Sequence, residues 1–408
     1  MNAKWNNQRD RIRDLSLTLR HSYYDKHKCD ECCYNTPHGI DGNITESIGS
    51  WPEFIFRGTF CKRTFQGLCS PCFYSQFPID KKEKGIAYEN MIRNQFNYVI
   101  NNFFELVINR QYGKLNDDIV RLVLTPTGSF FDADEFPQKL RIELLEKLRN
   151  EAKKYNIQIQ LHIESHCKDW NKLEKTTNAS IYEIQLLKEL HTKILFGFES
   201  SNEYVRNVLY NKHLDMDDFL KAYETAKNLN LDVGIFIFAG LFSMNDMLTI
   251  YDVKKSISFA KAKNITPVIM FQNVQQYTIT DILFQNNKIR LIEPFSVMEI
   301  ILFLLDEFED CNWLIADPKG GPPVPEHNIF DSAQITSSEN SKKIYEMVHE
   351  LRITRDIKQF KVKANEIKKT DNYSKYNEYL NSCRTWEYLE SDTDTLLTCA
   401  EQIINYNN

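Results

Sequence analysis

Three cysteines carry the most pointed chemical signal in this chain. Cys61, seven intervening residues, Cys69, two more residues and Cys72 put three thiols on one short stretch. Two cysteines separated by two residues can bind neighbouring metal ions of a cluster, and the third can fold back across the turn around Gly67. Three is the informative number. A structural zinc site normally takes four protein ligands, whereas a [4Fe–4S] cluster held by three leaves one iron open for a substrate or cofactor. Zinc is a second reading of the same residues, with His27, Cys29 or Cys32 completing its shell, and a set of buried thiols is a third.

The elements that must position this stretch follow from hydrophobic patterning. From Trp51 onward short β-rich runs alternate with segments whose apolar residues recur at helical spacing. The runs are 52–58, 118–125, 157–165, 193–200, 233–240 and 266–273. Between them lie helical stretches such as 137–154, opened by Pro137, and 216–230, opened by acidic residues. Alternation of this kind implies parallel pairing through right-handed crossovers, and six units make an open α/β barrel, a partial (β/α)6 TIM-like barrel. In parallel barrels the loops leaving the C-terminal ends of the strands form the active site. Polar residues sit at those ends: Thr59 and Cys61 after the first strand, Thr127 to Ser129 after the second, Glu164 on the third and Glu199 on the fourth.

The expected organisation is an N-terminal extension over 1–48, polar and aromatic without clear periodicity, a barrel over 49–300, and a mainly helical, charged region over 301–408. At 408 residues the chain is long enough for one large core with an appended region. Its 50 basic and 56 acidic side chains leave −6, so no global attraction draws it to a polyanion, and nucleic acid binding would need a local patch. The opening MNAKWNNQRDRIRDL is polar and charged, and no apolar run approaches the roughly 18 residues a membrane span requires. A reducing cytoplasm is therefore expected, where clustered cysteines read as metal or redox sites.

Other residue groups invite chemistry with weaker signals. His27, Cys29, Cys32 and Cys33 would make an accessory zinc site or remain free thiols. His162 and His166 flank the third strand end, with His162 and Glu164 two apart on one face; they would suit an acid–base pair near the substrate, and histidines packed in the core or supporting the site are the equal alternative. The stretch 355–369 is a basic amphipathic helix whose charge either touches RNA phosphate or faces solvent. Cys167, Cys311, Cys383 and Cys399 are isolated and read as packing residues.

Several stretches, RGTFCKRTFQGLCSPCFYS (57–75), LTPTGSFFDADEFP (124–137), GFESSNEYVRNVLYNKHLDMDDFLKAY (197–223), VQQYTITDILFQNNKIRLIEPFSVMEII (274–301) and GGPPVPEHN (320–328), together resemble the radical S-adenosylmethionine superfamily. The seven-then-two cysteine spacing is similar to the branch containing the Elongator-type catalytic subunit and the radical subunit of archaeosine synthase. The resemblance implies that Cys61, Cys69 and Cys72 hold the cluster and that Phe73 and Tyr74 lie against the adenine. It implies that Thr127, Gly128 and Ser129 receive the methionine amino group and that Glu164 binds the ribose. Glu199, Arg206 and Lys212 match the family's charged residues in that segment, with Arg206 or Lys212 against the cofactor carboxylate and Glu199 and Arg206 as candidate catalytic groups.

Two departures qualify the likeness: no cysteine pair follows His327 and Asn328, and the segment AGLFSMND (239–246) lacks the Pro and Glu expected there. The reading that results is an enzyme that reductively cleaves S-adenosylmethionine and abstracts hydrogen from a small-molecule biosynthetic intermediate, served by a one-electron donor such as flavodoxin or ferredoxin. A tRNA base is the alternative substrate. A non-catalytic zinc or iron–sulfur module and a barrel hydrolase are the alternatives of another class.

Overall fold

In the computed structural model the described residues are 3–26, 40–41, 43–44, 53–56, 61–72, 86–110, 119–126, 128–319 and 327–407. Their centre is a seven-stranded sheet of β1 (Glu53–Phe56), β2 (Ile119–Pro126), β3 (Gln158–Ser165), β4 (Lys193–Glu199), β5 (Asp232–Ala239), β6 (Thr266–Phe271) and β7 (Leu314–Ile315). Every neighbouring pair is parallel, and the order in space is the order in sequence. One crossover sense repeated in one direction curls the sheet into a partial TIM-like barrel that stays open between β1 and β7. The six expected strands are all present. The seventh has only two residues, too few for any periodicity to reveal.

The helices are α1 (Ala3–Lys26), α2 (Lys62–Phe65), α3 (Ile86–Arg110), α4 (Gln138–Lys154), α5 (Cys167–Lys172), α6 (Asn178–Glu189), α7 (Met216–Asn228), α8 (Asp246–Ala262), α9 (Ile279–Gln285), α10 (Pro294–Glu307), α11 (Ser338–Thr354), α12 (Ile357–Ile367), α13 (Asp371–Ser382) and α14 (Trp386–Asn407). Of these, α1, α9 and α14 build a second apolar cluster, and α3 to α8 with α10 to α13 cover the outer face. Their apolar stripes meet the outward strand residues in one large core. Leu140, Leu144 and Leu148 of α4 and Ile257 and Ala260 of α8 pack with Leu122, Ile163, Phe196 and Ile235. Helices α10 to α13 join the same core through Phe295, Ile344, Phe360 and Tyr376.

The inner face is layered along the strands. At the N-terminal end Arg121 donates to Gln160 at 2.7 Å and Lys193 to Thr266 at 2.8 Å. Above them Val123, Leu195, Phe236, Val268 and Leu314 form an apolar plug. The remaining inner positions, above the plug, open at the C-terminal edge, where loops and α1 converge.

Helix α1 departs from the expectation of an extension without periodic structure. It runs for 24 residues and packs on α14, α9 and the π-helical turn Val205–Leu209. Its inward face mixes Ile12, Leu15 and Leu19 with the fully buried polar side chains of Gln8, Ser16 and Arg20. A face that is half polar produces little hydrophobic periodicity, so the helical spacing was hidden in the sequence. Among the described residues no helix is long and apolar enough to cross a membrane.

Candidate active site at the C-terminal edge of the sheet

The cysteine stretch follows β1, the first strand, as the alternation predicts. Cys61 is the residue before the single turn of α2, and its carbonyl accepts from the Thr64 amide at 3.0 Å. Cys69 adopts a left-handed backbone, φ 56°, and its carbonyl accepts from the Cys72 amide at 3.0 Å. Such a conformation is costly for a residue with a Cβ and persists only where surrounding contacts enforce it. Here they are explicit. The Cys69 and Ser70 amides donate to the carbonyls of Asn211 and Tyr210 at 3.1 and 2.9 Å, and the Ser70 hydroxyl donates to Leu209 O at 2.6 Å. On the other side the Arg20 guanidinium, from α1, donates to the carbonyls of Thr64, Leu68, Cys69 and Cys72 at 2.8–2.9 Å.

Cys69 is buried, and Cys61 and Cys72 are half-buried. Burial, with the nearby charges of Glu135 and Cys69, pushes the Cys61 thiol up to about 11. Cys61 and Cys69 therefore lie within electrostatic reach of each other, and Arg63 bears on both while Lys212 bears on Cys69. A soft donor set flanked by two cations suits an anionic thiolate-bound cluster. Among the described residues no group of three or more His, Cys, Asp or Glu side chains is drawn together as a metal centre.

Glu135 ties this loop to the second strand's end. Its carboxylate, fully buried, accepts from the Lys62 amide at 3.0 Å and from the Ser129 amide at 2.7 Å. Burial and then Asp132 push its carboxyl up to about 8, against the pull of those two amides. Gly128 is the residue that admits it, since a Cβ there would stand 1.8 Å from Glu135 Oε2. Ser129 in turn shares a hydroxyl hydrogen bond of 2.9 Å with Ser165 and accepts from the His166 amide at 3.1 Å. Around this hub lie two more ion pairs, Lys62 with Asp132 and the buried Arg63 with Asp169 at 2.7 Å.

At the end of β4 the backbone bulges between Gly197 and Glu199, and Glu199 turns left-handed at φ 71°. Its Oε1 accepts from Lys212 Nζ at 2.7 Å, both side chains being buried, and its Oε2 is buried without a hydrogen-bond partner. Burial alone would push the Lys212 ammonium down; Glu199 and then Cys69 hold it above its ordinary range. Arg206, 2% exposed, is turned to the backbone instead, donating to the carbonyls of Ser200 at 2.8 Å and Leu214 at 2.9 Å.

Of the residues singled out from sequence, Cys61, Cys69, Gly128, Ser129, Glu199 and Lys212 thus converge at this edge. Glu164 is half-buried on the inner face of β3, and its carbonyl accepts from the Phe130 amide at 2.9 Å. His162 shares that face but pairs in register with Val123 and Lys193, level with the plug, and burial with Lys193 and Arg121 holds its pKa well down. His166, also buried, caps α5 by accepting from the Lys168 amide. Cys167 is a buried packing residue, its thiol pushed up to about 12 by burial. Phe73, Tyr74, Thr127, His27, Cys29, Cys32 and Cys33 lie outside the described residues. Reading from sequence missed Glu135, the Arg63–Asp169 pair and Arg20. Glu135 stood in view within DADEFP, but nothing in its spacing separates it from the neighbouring acids.

No family model matches the chain. An uncharacterised protein of Methanocaldococcus jannaschii is 25% identical over 357 residues, covering 85% of this chain and 89% of that protein. Archaeosine synthase subunit beta of Methanosarcina acetivorans is 23% identical over 176 residues, 43% of this chain, and the chain spans 48% of that subunit's length. Among solved structures, the Methanocaldococcus infernus Elp3 lacking its N-terminus superposes with a TM-score of 0.44 at 14% identity, covering 64% of this chain and 60% of that one. In its cysteine loop, its sequentially ordered parallel half-barrel and its sequence relatives, the chain resembles the radical S-adenosylmethionine superfamily, on the branch that includes archaeosine synthase subunit beta.

Proposed function

We propose that the chain is a radical S-adenosylmethionine enzyme, with Cys61, Cys69 and Cys72 as the three ligands of a [4Fe–4S] cluster. The observation that carries this reading is the loop itself: a three-thiol donor set at the C-terminal edge of a parallel half-barrel, held on both flanks and faced by Arg63 and Lys212. When bound, such a cluster supplies the electron that cleaves S-adenosylmethionine and so yields the carbon radical that removes hydrogen from substrate. In this reading Cys61, Cys69 and Cys72 would hold the cluster as thiolates, their protons released to solvent on binding. Glu135 keeps the Cys61 end of the loop joined to the Gly128–Ser129 turn, where the methionine amino group is received. Glu164 takes the ribose hydroxyls and Phe73 and Tyr74 the adenine. The unpartnered Oε2 of Glu199, beside Lys212, offers an acceptor at the edge of the site. Arg206 enters as a positioning residue that holds the strand end carrying Glu199.

For substrate, the reading favours a small biosynthetic intermediate, with flavodoxin or ferredoxin as electron donor. The balance of −6 supports it, as does the pairing of Lys361 and Lys363 on α12, and of Lys368 just after it, with Asp306, Glu350 and Glu299. A second reading, a base in tRNA, is supported by the archaeosine-type relatives.

The test is anaerobic reconstitution followed by dithionite and S-adenosylmethionine. A brown protein that releases 5′-deoxyadenosine, and a Cys69→Ala variant that does not, are the expected results. Colourless, zinc-replete protein that cleaves nothing would replace this reading with a binding module.

A further inference from the structure

The cysteine loop does not hold its own shape. Its helical content is one turn of four residues, and Cys69 sits in the left-handed region. What organises it from the α1 side is one side chain. Arg20 Nη1 donates to Thr64 O at 2.8 Å and Leu68 O at 2.9 Å, and Nη2 to Cys69 O and Cys72 O, each at 2.9 Å. The residue is 1% exposed. Four carbonyl oxygens turned toward one point repel each other unless a cation stands there, and a guanidinium is the side chain whose planar fork reaches several acceptors at fixed angles. Two of the four carbonyls belong to the cysteines, so the same contact sets the backbone from which both thiols project. Helix α1 is seated close enough for this because Gly67 has no side chain: a Cβ there would stand 2.5 Å from Arg13 O.

We propose that Arg20 is a positioning residue for the cysteine loop, holding Cys69 and Cys72 in the orientation in which they bind metal. The proposal rests on the reading of Cys61, Cys69 and Cys72 as cluster ligands. Groups that orient metal ligands from outside the coordination shell typically affect metal affinity by about 10–100-fold. An ammonium in place of the guanidinium keeps the charge and loses the fork, so Arg20→Lys separates charge from geometry.

The experiment compares the wild type with Arg20→Lys, Arg20→Gln and Arg11→Gln. Arg11 ties α1 to Glu401 on α14 at 2.7 and 2.9 Å and, among the described residues, its hydrogen bonds all go to α14, so it reports on loosening of α1 alone. The first readout, on metal-free protein, is the rate at which maleimide alkylates Cys69 and Cys72, followed by peptide mass spectrometry. The second, after reconstitution, is the rate of iron loss to a chelator with the low-temperature EPR spectrum of the reduced cluster. Both Arg20 variants are expected to expose Cys69 to faster alkylation, to lose iron at least about tenfold faster and to shift the EPR signal, with Arg11→Gln matching the wild type.

Arg20 variants that match the wild type in both readouts would overturn the proposal, and so would an Arg11→Gln variant that loses iron as fast as Arg20→Lys. If Arg20→Gln fails to fold by circular dichroism, Arg20→Lys carries the comparison. If the wild type itself takes up no iron, the proposed function fails, and the alkylation rates still decide whether Arg20 holds the loop.

Discussion

Replacing Glu199 by Gln is expected to destabilise the metal-free protein by about 3 kcal/mol. The substitution removes the carboxylate that neutralises Lys212 across 2.7 Å, in a place where the two side chains are 4% and 8% exposed. At an effective dielectric constant of about 20 and a separation of about 3 Å, the pair's attraction is on the order of 5 kcal/mol, and part of it offsets the cost of taking both charges out of water. Breaking such a pair while leaving one charge buried typically costs about 3–5 kcal/mol. Gln keeps an amide oxygen that can accept from the ammonium, which returns about 1 kcal/mol. At about 2.1 cal/mol/K of unfolding entropy per residue, 408 residues make roughly 0.9 kcal/mol/K, so 3 kcal/mol corresponds to a melting temperature lower by about 3–4 °C. Thermal unfolding by circular dichroism measures it. Adding Lys212→Met to Glu199→Gln removes the stranded charge and is expected to recover most of the loss. A Glu199→Gln variant within about 0.5 kcal/mol of the wild type, or a double variant no more stable than the single one, would refute the argument that a buried charge pair anchors this edge of the sheet.

Gly128→Ala is expected to push the Glu135 carboxyl off the amides of Lys62 and Ser129 and to cost about 2 kcal/mol at neutral pH, as two hydrogen bonds to a largely protonated carboxyl would; urea unfolding checks this, and additivity with Glu135→Gln would show the two residues to be uncoupled. Burial pushes the Asp252 carboxyl up to about 7 despite the Ser200 hydroxyl at 2.7 Å and the charge of Arg206. The folded chain then binds that proton more tightly than the unfolded chain, whose carboxyl titrates near 4, so this group's contribution falls as pH rises from about 4 to about 7 and is flat above. Asp252→Asn should remove that part of the decline, up to roughly 4 kcal/mol, and equal pH slopes in urea midpoints for both proteins would contradict it. The triple variant Lys361→Gln, Lys363→Gln and Lys368→Gln is expected to leave tRNA affinity unchanged in fluorescence anisotropy at fixed salt, because each lysine already faces a carboxylate. A tenfold loss of affinity with a flatter salt dependence would instead mark α12 as an RNA surface and favour the tRNA reading of the substrate.

The barrel was legible because its strands are covered on both sides and its helices on one. Near-continuous apolar runs such as KILFGFE and DVGIFIFA can only be buried strands when helical stretches separate them, and strand order then follows from the crossover rule. What escaped were an element whose buried face is half polar and one too short to show a period. Helix α1 turns Gln8, Ser16 and Arg20 inward, and β7 is two residues long. The site divides along the same line. Cysteine spacing is local and was read directly, and the left-handed turn at Cys69 and the bulge at Glu199 sit where the strand ends were expected.

The chain's own order of residues determined the class of fold, the loop that carries the thiols and the edge of the sheet where chemistry is concentrated, since periodicity and close spacing are properties of neighbours along the chain. Only the tertiary structure decided which charges meet. Arg20 finds four carbonyls of the cysteine loop, Glu135 finds the amides of Lys62 and Ser129, Lys212 finds Glu199, and Arg206 turns to backbone. A buried polar group must take whatever partner the packing brings within hydrogen-bond reach, and no pattern of spacing along the chain specifies that partner.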